Sequence, residues 1–346
     1  MNKTSLSNLS LDELTDLLKS WGVPPFRATQ VWRWMYHSGA ESFEAMSDLP
    51  VALRQRLAER TTLSTLVSVD EIKSRSGETT KVLFRLTDAE TVEAVDMMQA
   101  EHHTVCVSTQ VGCPVACPFC ATGRQIFKRN MGAGEIVEQV TFFARSAPER
   151  PVTNVVFMGM GEPLINYNAT VKAVRTLNSP QGFNLGARHM TISTAGLVPG
   201  IKRLAKEGLQ IGLAVSLHAP TNALRNSLVP LNVRYPVEEL IGACRDYYAF
   251  TGRRVTFEYA LFRGINDSLR QASQLAKLLA GTNSHVNIIP ANKTHGSPFQ
   301  PTPLQQVKAF REELEHSGIA ATVRRSLGSD IQAGCGQLKG RDLCEP

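Results

Sequence analysis

The sequence predicts an α/β protein in which helices cover a parallel sheet, with a small helical module and a β-hairpin ahead of it. Three observations lead there. From Thr104 onward, short β-rich runs alternate with helical stretches through six βα units, the pattern of parallel strands joined by crossover helices. Ahead of them, two strand-like runs flank the turn-like Thr87-Asp88-Ala89. Ahead of those, residues 1–60 show helical spacing only.

In order along the chain, residues 12–20 place Leu14, Leu17 and Leu18 at helical spacing. Residues 26–36 are rich in apolar and aromatic side chains, and Leu49-Pro50 introduces a third helix over 51–58. A module of this size is marginal alone, so residues 1–60 read as an accessory domain. From Val67 to Met98 the signal switches to strands, with residues 81–86 and 91–95 forming a hairpin, which makes 61–100 a linker or extension. In 101–346 the strands are expected at 104–109, 154–158, 189–193, 212–216, 255–261 and 286–289. The helices are expected at 135–145, 170–177, 201–207, 237–250, 268–279 and 303–316. Two architectures fit this alternation, an open doubly wound sheet and a curved partial barrel. In both, the working residues belong at the C-terminal strand ends.

At 346 residues and 42% hydrophobic content, the chain can bury one large core plus a small accessory domain. No apolar run approaches the roughly 18 residues of a membrane span, and the start MNKTSLSNLSLDEL lacks the basic and apolar regions of a signal peptide. A cytoplasmic protein with no membrane partner is expected. In a reducing compartment, seven cysteines read as metal ligands, catalytic thiols or core residues instead of a disulfide framework. Charge is uneven: residues 1–100 hold 11 Lys+Arg against 14 Asp+Glu, leaving 26 against 17 for the remainder. Attraction to phosphate should therefore centre on the C-terminal part.

Directly after the first barrel strand comes Cys113-Pro-Val-Ala-Cys117-Pro-Phe-Cys120, a C-x3-C-x2-C loop. Three thiolates can ligate three irons of a 4Fe-4S cubane and leave the fourth open. The alternative is a zinc knuckle in a non-catalytic RNA-binding module, which predicts a colourless protein. Structural zinc normally takes four ligands, however, and no nearby Cys or His completes a pair. At the next strand ends stand Met158-Gly-Met-Gly161-Glu162-Pro163, Thr191-Ile-Ser193-Thr-Ala-Gly196, Ser216-Leu217-His218 and Asn287-Ile-Ile-Pro-Ala-Asn292. Glycines permit close backbone approach, while hydroxyl, imidazole and amide groups suit a ribose, a carboxylate or a nucleotide edge. Each of these residues alone would more often be a cap or turn residue. Their shared address at strand ends is what makes them informative.

The three-cysteine loop, with Phe119 before its last cysteine, resembles that of the radical S-adenosylmethionine superfamily. The resemblance narrows to the adenine C2 methyltransferases of ribosomal and transfer RNA and their C8-methylating resistance relatives. It rests on residues 104–113, 158–164, 216–222, 257–261 and 334–338, and a small N-terminal helical domain also fits. It implies a partial (β/α)6 barrel with Cys113, Cys117 and Cys120 on a 4Fe-4S cluster, and S-adenosylmethionine, two molecules per turnover. The implied cofactor contacts are Gly161, Glu162, Ser193, Ser216, Leu217, His218 and Asn292. The implied catalytic residues are Cys335 as the methyl carrier, Cys106 as the resolving thiol through a transient disulfide, and Glu93 as a proton acceptor. RNA as partner (23S ribosomal RNA and transfer RNA), an electron donor such as flavodoxin, and a monomeric state follow from the same likeness. RNA contacts are expected from Arg124, Lys128, Arg129, Arg324, Arg325, Lys339 and Arg341, because guanidinium groups pair phosphate and stack on bases. Cys244 and Cys344 match no catalytic position and read as structural. Ile126, where the family has glycine, and Lys293, where it has proline, depart from the pattern at positions that bear on substrate preference.

Overall fold

The computed structural model describes residues 3–294 and 296–340. Ten strands form one sheet whose spatial order is their sequence order: β1 (Val67–Lys73), β2 (Thr79–Arg85), β3 (Thr91–Met98), β4 (His103–Cys106), β5 (Asn154–Phe157), β6 (Met190–Thr194), β7 (Gly212–Ser216), β8 (Val255–Leu261), β9 (Ser284–Pro290) and β10 (Ala321–Val323). β1 to β4 pair antiparallel, and β4 to β10 pair parallel. A doubly wound sheet reverses its strand order at a switch point; this one never does, so successive crossovers all fall on one face and the sheet curls into a barrel. Among the described residues, its outer strands, β1 and β10, have no partner on their far sides, which leaves the barrel open.

Alternation along each strand separates the two faces. In β5, Val155 and Phe157 are fully buried, while Val156 between them is half-buried. Ten helices accompany the sheet: α1 (Leu11–Ser20), α2 (Phe26–Tyr36), α3 (Val51–Arg60), α4 (Ala133–Ser146), α5 (Tyr167–Asn178), α6 (Val198–Leu204), α7 (Asn222–Leu228), α8 (Val237–Thr251), α9 (Leu269–Leu279) and α10 (Leu304–His316). Capping boxes at Ser10/Glu13 and Ser268/Gln271 start α1 and α9, and Gly252 in the left-handed region ends α8.

The six expected parallel strands are all present. Three elements go beyond the expectation. β10 adds a seventh parallel strand, and α7 precedes α8. The expected hairpin is a three-stranded antiparallel extension, joined to the barrel through the β3–β4 ladder, so it continues the main sheet instead of merely linking two parts.

The N-terminal helices dock firmly. Leu14, Leu18, Trp32 and Tyr36 belong to the same continuous apolar core as Val155 and Phe157. The buried Glu138 of α4 ties the parts together. It accepts from Ser7 Oγ, from Ser64 Oγ (2.8 Å) and from the Thr65 and Leu66 amides (2.6 and 3.0 Å).

Candidate active site at the C-terminal strand ends

A pocket opens where the parallel strands end, lined by Cys106 at the end of β4, Met158 after β5, Ser193 of β6, Ser216 of β7, Glu258 of β8 and Asn292 after β9. A two-residue ribbon, Gln110–Val111 against Arg129–Asn130, closes the loop that carries Cys113, Cys117 and Cys120 into it. The loop is tightly wound. Gly112 has φ +75°, and a Cβ there would lie 2.4 Å from the Ile126 carbonyl oxygen; one on Gly123 would lie 2.6 Å from that of Cys117. Burial pushes the Cys113 thiol up to about 12 and that of Cys117 well above its ordinary value, and negative charge on the neighbouring cysteines raises both further. Such thiolates need a cation to exist, which a metal cluster supplies. Among the described residues, no three His, Cys, Asp or Glu side chains converge on a single-ion site. The donor set, three thiols spread over one loop, fits an iron-sulfur cluster. Phe119 walls the loop against His218, Phe262 and Phe299, with ring centroids 5.1, 5.0 and 6.2 Å away.

The strand-end residues are held by one another. Gly161, φ +101°, brings its backbone so close to Gln110 that a Cβ would sit 2.5 Å from the Gln110 Cβ. Glu162 is buried and accepts from the Ala195 and Leu164 amides (2.6 and 3.0 Å), fixing the β6 loop to the β5 loop; burial pushes its carboxyl up to about 7 against those bonds. Ser193 and Ser216 face the pocket. His218 sits at φ +56° with Nδ1 accepting from the Ala260 amide at 3.0 Å, so Nε2 carries the proton. Burial, together with Arg225, holds the ring neutral with its pKa lowered to about 3. The structure does not bring the Leu217 side chain to the pocket. It is fully buried in the core, and its amide and carbonyl are spent on the Glu258 carbonyl and on Arg225 Nε. The fully buried Arg225 also donates to the carbonyls of Ala195 and Ser216 (2.6 and 2.9 Å), clamping two strand ends.

Cys335 and Cys106 line the same pocket, Cys335 exposed and Cys106 half-buried. Burial pushes the Cys106 thiol up to about 12, with the charge of Cys335 raising it further, and burial raises Cys335 as well. The Arg324 guanidinium draws both back down. The segment bearing Cys335 is stapled to the cluster loop by Ala121 N to Gly336 O (2.8 Å) and Thr122 Oγ1 to Leu338 O (2.6 Å). Asn292 Nδ2 to Cys335 O (3.2 Å) and Gln337 Nε2 to Lys293 O (2.8 Å) join it to the β9 loop. Asn292 thus holds the thiol segment as well as lining the pocket. Glu93 is buried beside the pocket, with Oε1 3.1 Å from Lys81 Nζ and Oε2 accepting from the Lys339 amide at 2.7 Å.

Two groups carried no assigned role in the sequence. Glu258 lines the pocket, takes a bond from Asn287 (2.9 Å) and stands 3.7 Å from Arg324 Nη1. Lys81 neutralises Glu93. Only the register between neighbouring strands reveals either one. Of the expected RNA-contacting cations, Arg129 is held by Asp88 (2.5 Å) and Glu135 (2.8 Å), and Arg324 turns into the pocket. Lys128, Arg325 and Lys339 are exposed, as is Arg124. Cys244 is core. Arg341 and Cys344 lie outside the described residues.

A family model described as the ribosomal RNA large subunit methyltransferase N-terminal domain matches residues 4–63, and one for the radical SAM superfamily matches 107–276. A protein of Symbiobacterium thermophilum named probable dual-specificity RNA methyltransferase RlmN is 48% identical over 344 residues, covering 99% of this chain and 92% of that protein. The chain belongs to the radical SAM RNA methyltransferases of the RlmN type. A like-named protein of Chloroflexus aurantiacus is also 48% identical, covering 99% of this chain and 94% of its own. The crystal structure of a radical SAM methyltransferase from Sphaerobacter thermophilus superposes with TM-score 0.96 at 51% identity, covering 98% of this chain and all of that one. A radical SAM methyltransferase uses a 4Fe-4S cluster and S-adenosylmethionine, and the zinc-module alternative gives way to an enzyme. No helix among the described residues is long and apolar enough to cross a membrane.

Proposed function

We propose that this RlmN-type enzyme methylates C2 of an adenine in 23S ribosomal RNA and in transfer RNA, with Cys335 as methyl carrier and Cys106 as resolving thiol. The observation that carries this reading is that both cysteines line one pocket with the three-thiol loop, within electrostatic reach of each other and of Arg324. Cys113, Cys117 and Cys120 would hold the cluster. Gly161, Glu162, Ser193, Ser216, His218 and Asn292 would hold the cofactor, with Leu217 packed in the core behind Ser216 and His218. Bound there, the cluster and two molecules of S-adenosylmethionine supply one methyl group and one hydrogen-abstracting radical.

Adenine C2 is electrophilic, so it does not attack a sulfonium methyl, whereas a carbon radical adds to it. Cys335 therefore accepts the methyl on sulfur and presents it, activated, to the ring. Arg324 favours the thiolate that this transfer needs. The adduct radical gives up one electron and the C2 proton. The Cys106 thiolate then attacks the Cys335 sulfur, and the bond from that sulfur to the methylene carbon breaks with its electron pair leaving on the base. That carbon is protonated to the methyl group, and an external thiol reductant returns the disulfide to two thiols. Glu93 as proton acceptor from C2 would first have to give up the Lys339 amide. Residues 1–60 serve as the RNA-engaging accessory module. The protein works as a cytoplasmic monomer with an electron donor such as a flavodoxin.

Mass spectrometry of nucleosides from RNA treated with the reconstituted enzyme tests the reading. 2-Methyladenosine supports it, while 8-methyladenosine would assign the C8 reaction of the resistance relatives. Cys113→Ala, Cys117→Ala and Cys120→Ala should each lose iron, visible absorbance and reductive cofactor cleavage. Full iron and colour in all three would remove the cluster assignment.

A further inference from the structure

The loop closed by the Gln110–Val111 and Arg129–Asn130 ribbon has two limbs. One carries the three cysteines. The other presents Ile126, 80% exposed, and Phe127, 37% exposed.

Exposed apolar side chains on a slack loop would mean little, but this tip is pinned on both sides. Before it, Thr122 Oγ1 donates to the Leu338 carbonyl (2.6 Å) and Gln125 Nε2 to that of Gly340 (2.9 Å). After it, Lys128 N donates to the Val111 carbonyl (2.9 Å), and Arg129 is locked between Asp88 and Glu135. Beneath it, Gly112 packs so closely that only glycine leaves room for the Ile126 carbonyl. The chain thus holds Ile126 almost wholly in water, and part of Phe127 beside it, on a fixed backbone and against the hydrophobic effect.

Their address gives the reason. Thr122 and Gly123, a few residues earlier on the same limb, line the active pocket. Arg124 and Lys128, both exposed, flank the tip and suit a polyanion. A base that reacts in a buried pocket must leave its stack, and proteins that open a stack insert apolar side chains into the gap.

We propose that Ile126 and Phe127 form a wedge that enters the RNA base stack next to the target adenine and fills the space vacated when that base turns into the pocket. The proposal rests on the reading of an RNA adenine as substrate. Rigid flanks matter because a wedge that yields transmits no strain to the stack.

The test uses an RNA stem-loop containing the target, with 2-aminopurine at the target position to report unstacking, and the holoenzyme as wild type, Ile126→Gly and Phe127→Ala. Iron content and S-adenosylmethionine binding should be unchanged in both variants. Wild type should raise the 2-aminopurine fluorescence; the variants should bind the RNA but raise it several-fold less. They should methylate the adenine-containing RNA roughly tenfold more slowly, as the loss of help with one unstacking step implies. An abasic site beside the target, which opens the stack in advance, should bring the variants back to the wild-type rate. Wild-type fluorescence and rate in both variants would overturn the wedge, and so would a slow variant that the abasic substrate does not rescue. If wild type itself neither binds nor methylates the RNA, the substrate reading fails, and the wedge fails with it.

Discussion

Lys81 and Glu93 form an enclosed ion pair, Nζ to Oε1 3.1 Å, with both side chains almost wholly removed from solvent. They lie diagonally across the β2–β3 ladder, where Glu93 stands opposite Leu83. Each also bonds the C-terminal segment, Lys81 to the Gln332 carbonyl (3.3 Å) and Glu93 to the Lys339 amide (2.7 Å). The antiparallel extension therefore grips, on either side of Cys335, the strap that carries this thiol.

Breaking this pair from one side should be costly. Glu93→Ala or Lys81→Met alone leaves the partner charge buried, a loss of about 3–5 kcal/mol. The double variant Glu93→Gln/Lys81→Met removes both charges while keeping an acceptor for the Lys339 amide, so its thermal midpoint should recover most of that loss. Activity then separates two roles. If Glu93 only positions the strap, the double variant methylates RNA; if it takes a proton from the base, the double variant is stable and inactive.

The sequence makes the middle of this fold legible and its edges obscure. Strands β4 to β9 carry apolar residues that the helices cover, and that signal is local. β10 is three residues long with Thr322 and Val323 exposed, so it leaves no pattern, and β1 alternates between exposed and half-buried positions with no apolar face, so only the strand signal that begins at Val67 marks it. The cluster loop is legible because three thiols at fixed spacing have few other uses. The Glu258–Arg324 contact and the Lys81–Glu93 pair are not, since each joins residues from separate strands or segments and rests on the fold itself. Leu217 shows the reverse error. Its neighbours Ser216 and His218 face the pocket, but strand alternation turns its own side chain into the core.

Glu138 sets what happens when the N-terminal helices are disturbed. Its carboxylate takes donors from Ser7 inside the helical module and from Ser64, Thr65 and Leu66 just after it, and hydrogen bonds to a charged group contribute about 1.5–3 kcal/mol each. Glu138→Ala should lower the unfolding midpoint by several degrees and speed tryptic release of the N-terminal module, with cluster iron retained. An unchanged proteolysis rate would mean that the apolar contacts alone hold the module.

His103 gives the fold a pH dependence. Its Nε2 lies 2.7 Å from Asp96 Oδ1 and its Nδ1 2.7 Å from the Arg150 carbonyl oxygen, so both nitrogens face acceptors. Burial opposes the charged ring, but Asp96 and the carbonyl outweigh it and raise the pKa above its ordinary value. A histidine raised on folding contributes its stability in full below about pH 6.5 and loses it as pH climbs through the folded value. The wild-type unfolding midpoint should therefore fall more steeply than that of His103→Gln as pH rises from about 6 to 8.5. Parallel curves would mean that the ring stays neutral in the fold.

The division of labour between Cys335 and Cys106 makes the most specific forecast, because only a two-thiol mechanism gives Cys106 work distinct from that of Cys335. Both line the pocket, and Cys106 ends β4, a fixed position beside the cluster loop, while Cys335 rides on the strap that Asn292, Gln337 and Glu93 secure. Cys106→Ala removes the sulfur proposed to resolve the adduct and leaves the strap untouched, so on that mechanism the variant should still load a methyl on Cys335, activate it and add it to the base. It should then stall. The expected product is an enzyme-RNA covalent species that survives denaturation, requires S-adenosylmethionine and is absent from the Cys106→Ala/Cys335→Ala double variant. Cys335→Ala alone should give neither methylated RNA nor adduct. Cys244→Ala, which trims a side chain in the apolar core, should turn over normally apart from a modest stability loss of about 1 kcal/mol. Nuclease digestion followed by peptide mass spectrometry would locate the nucleotide on the peptide containing Cys335. Normal methylation by Cys106→Ala, or an adduct that persists without Cys335, would strip both thiols of these roles and leave a radical methyltransferase whose carbon reaches the RNA by another route.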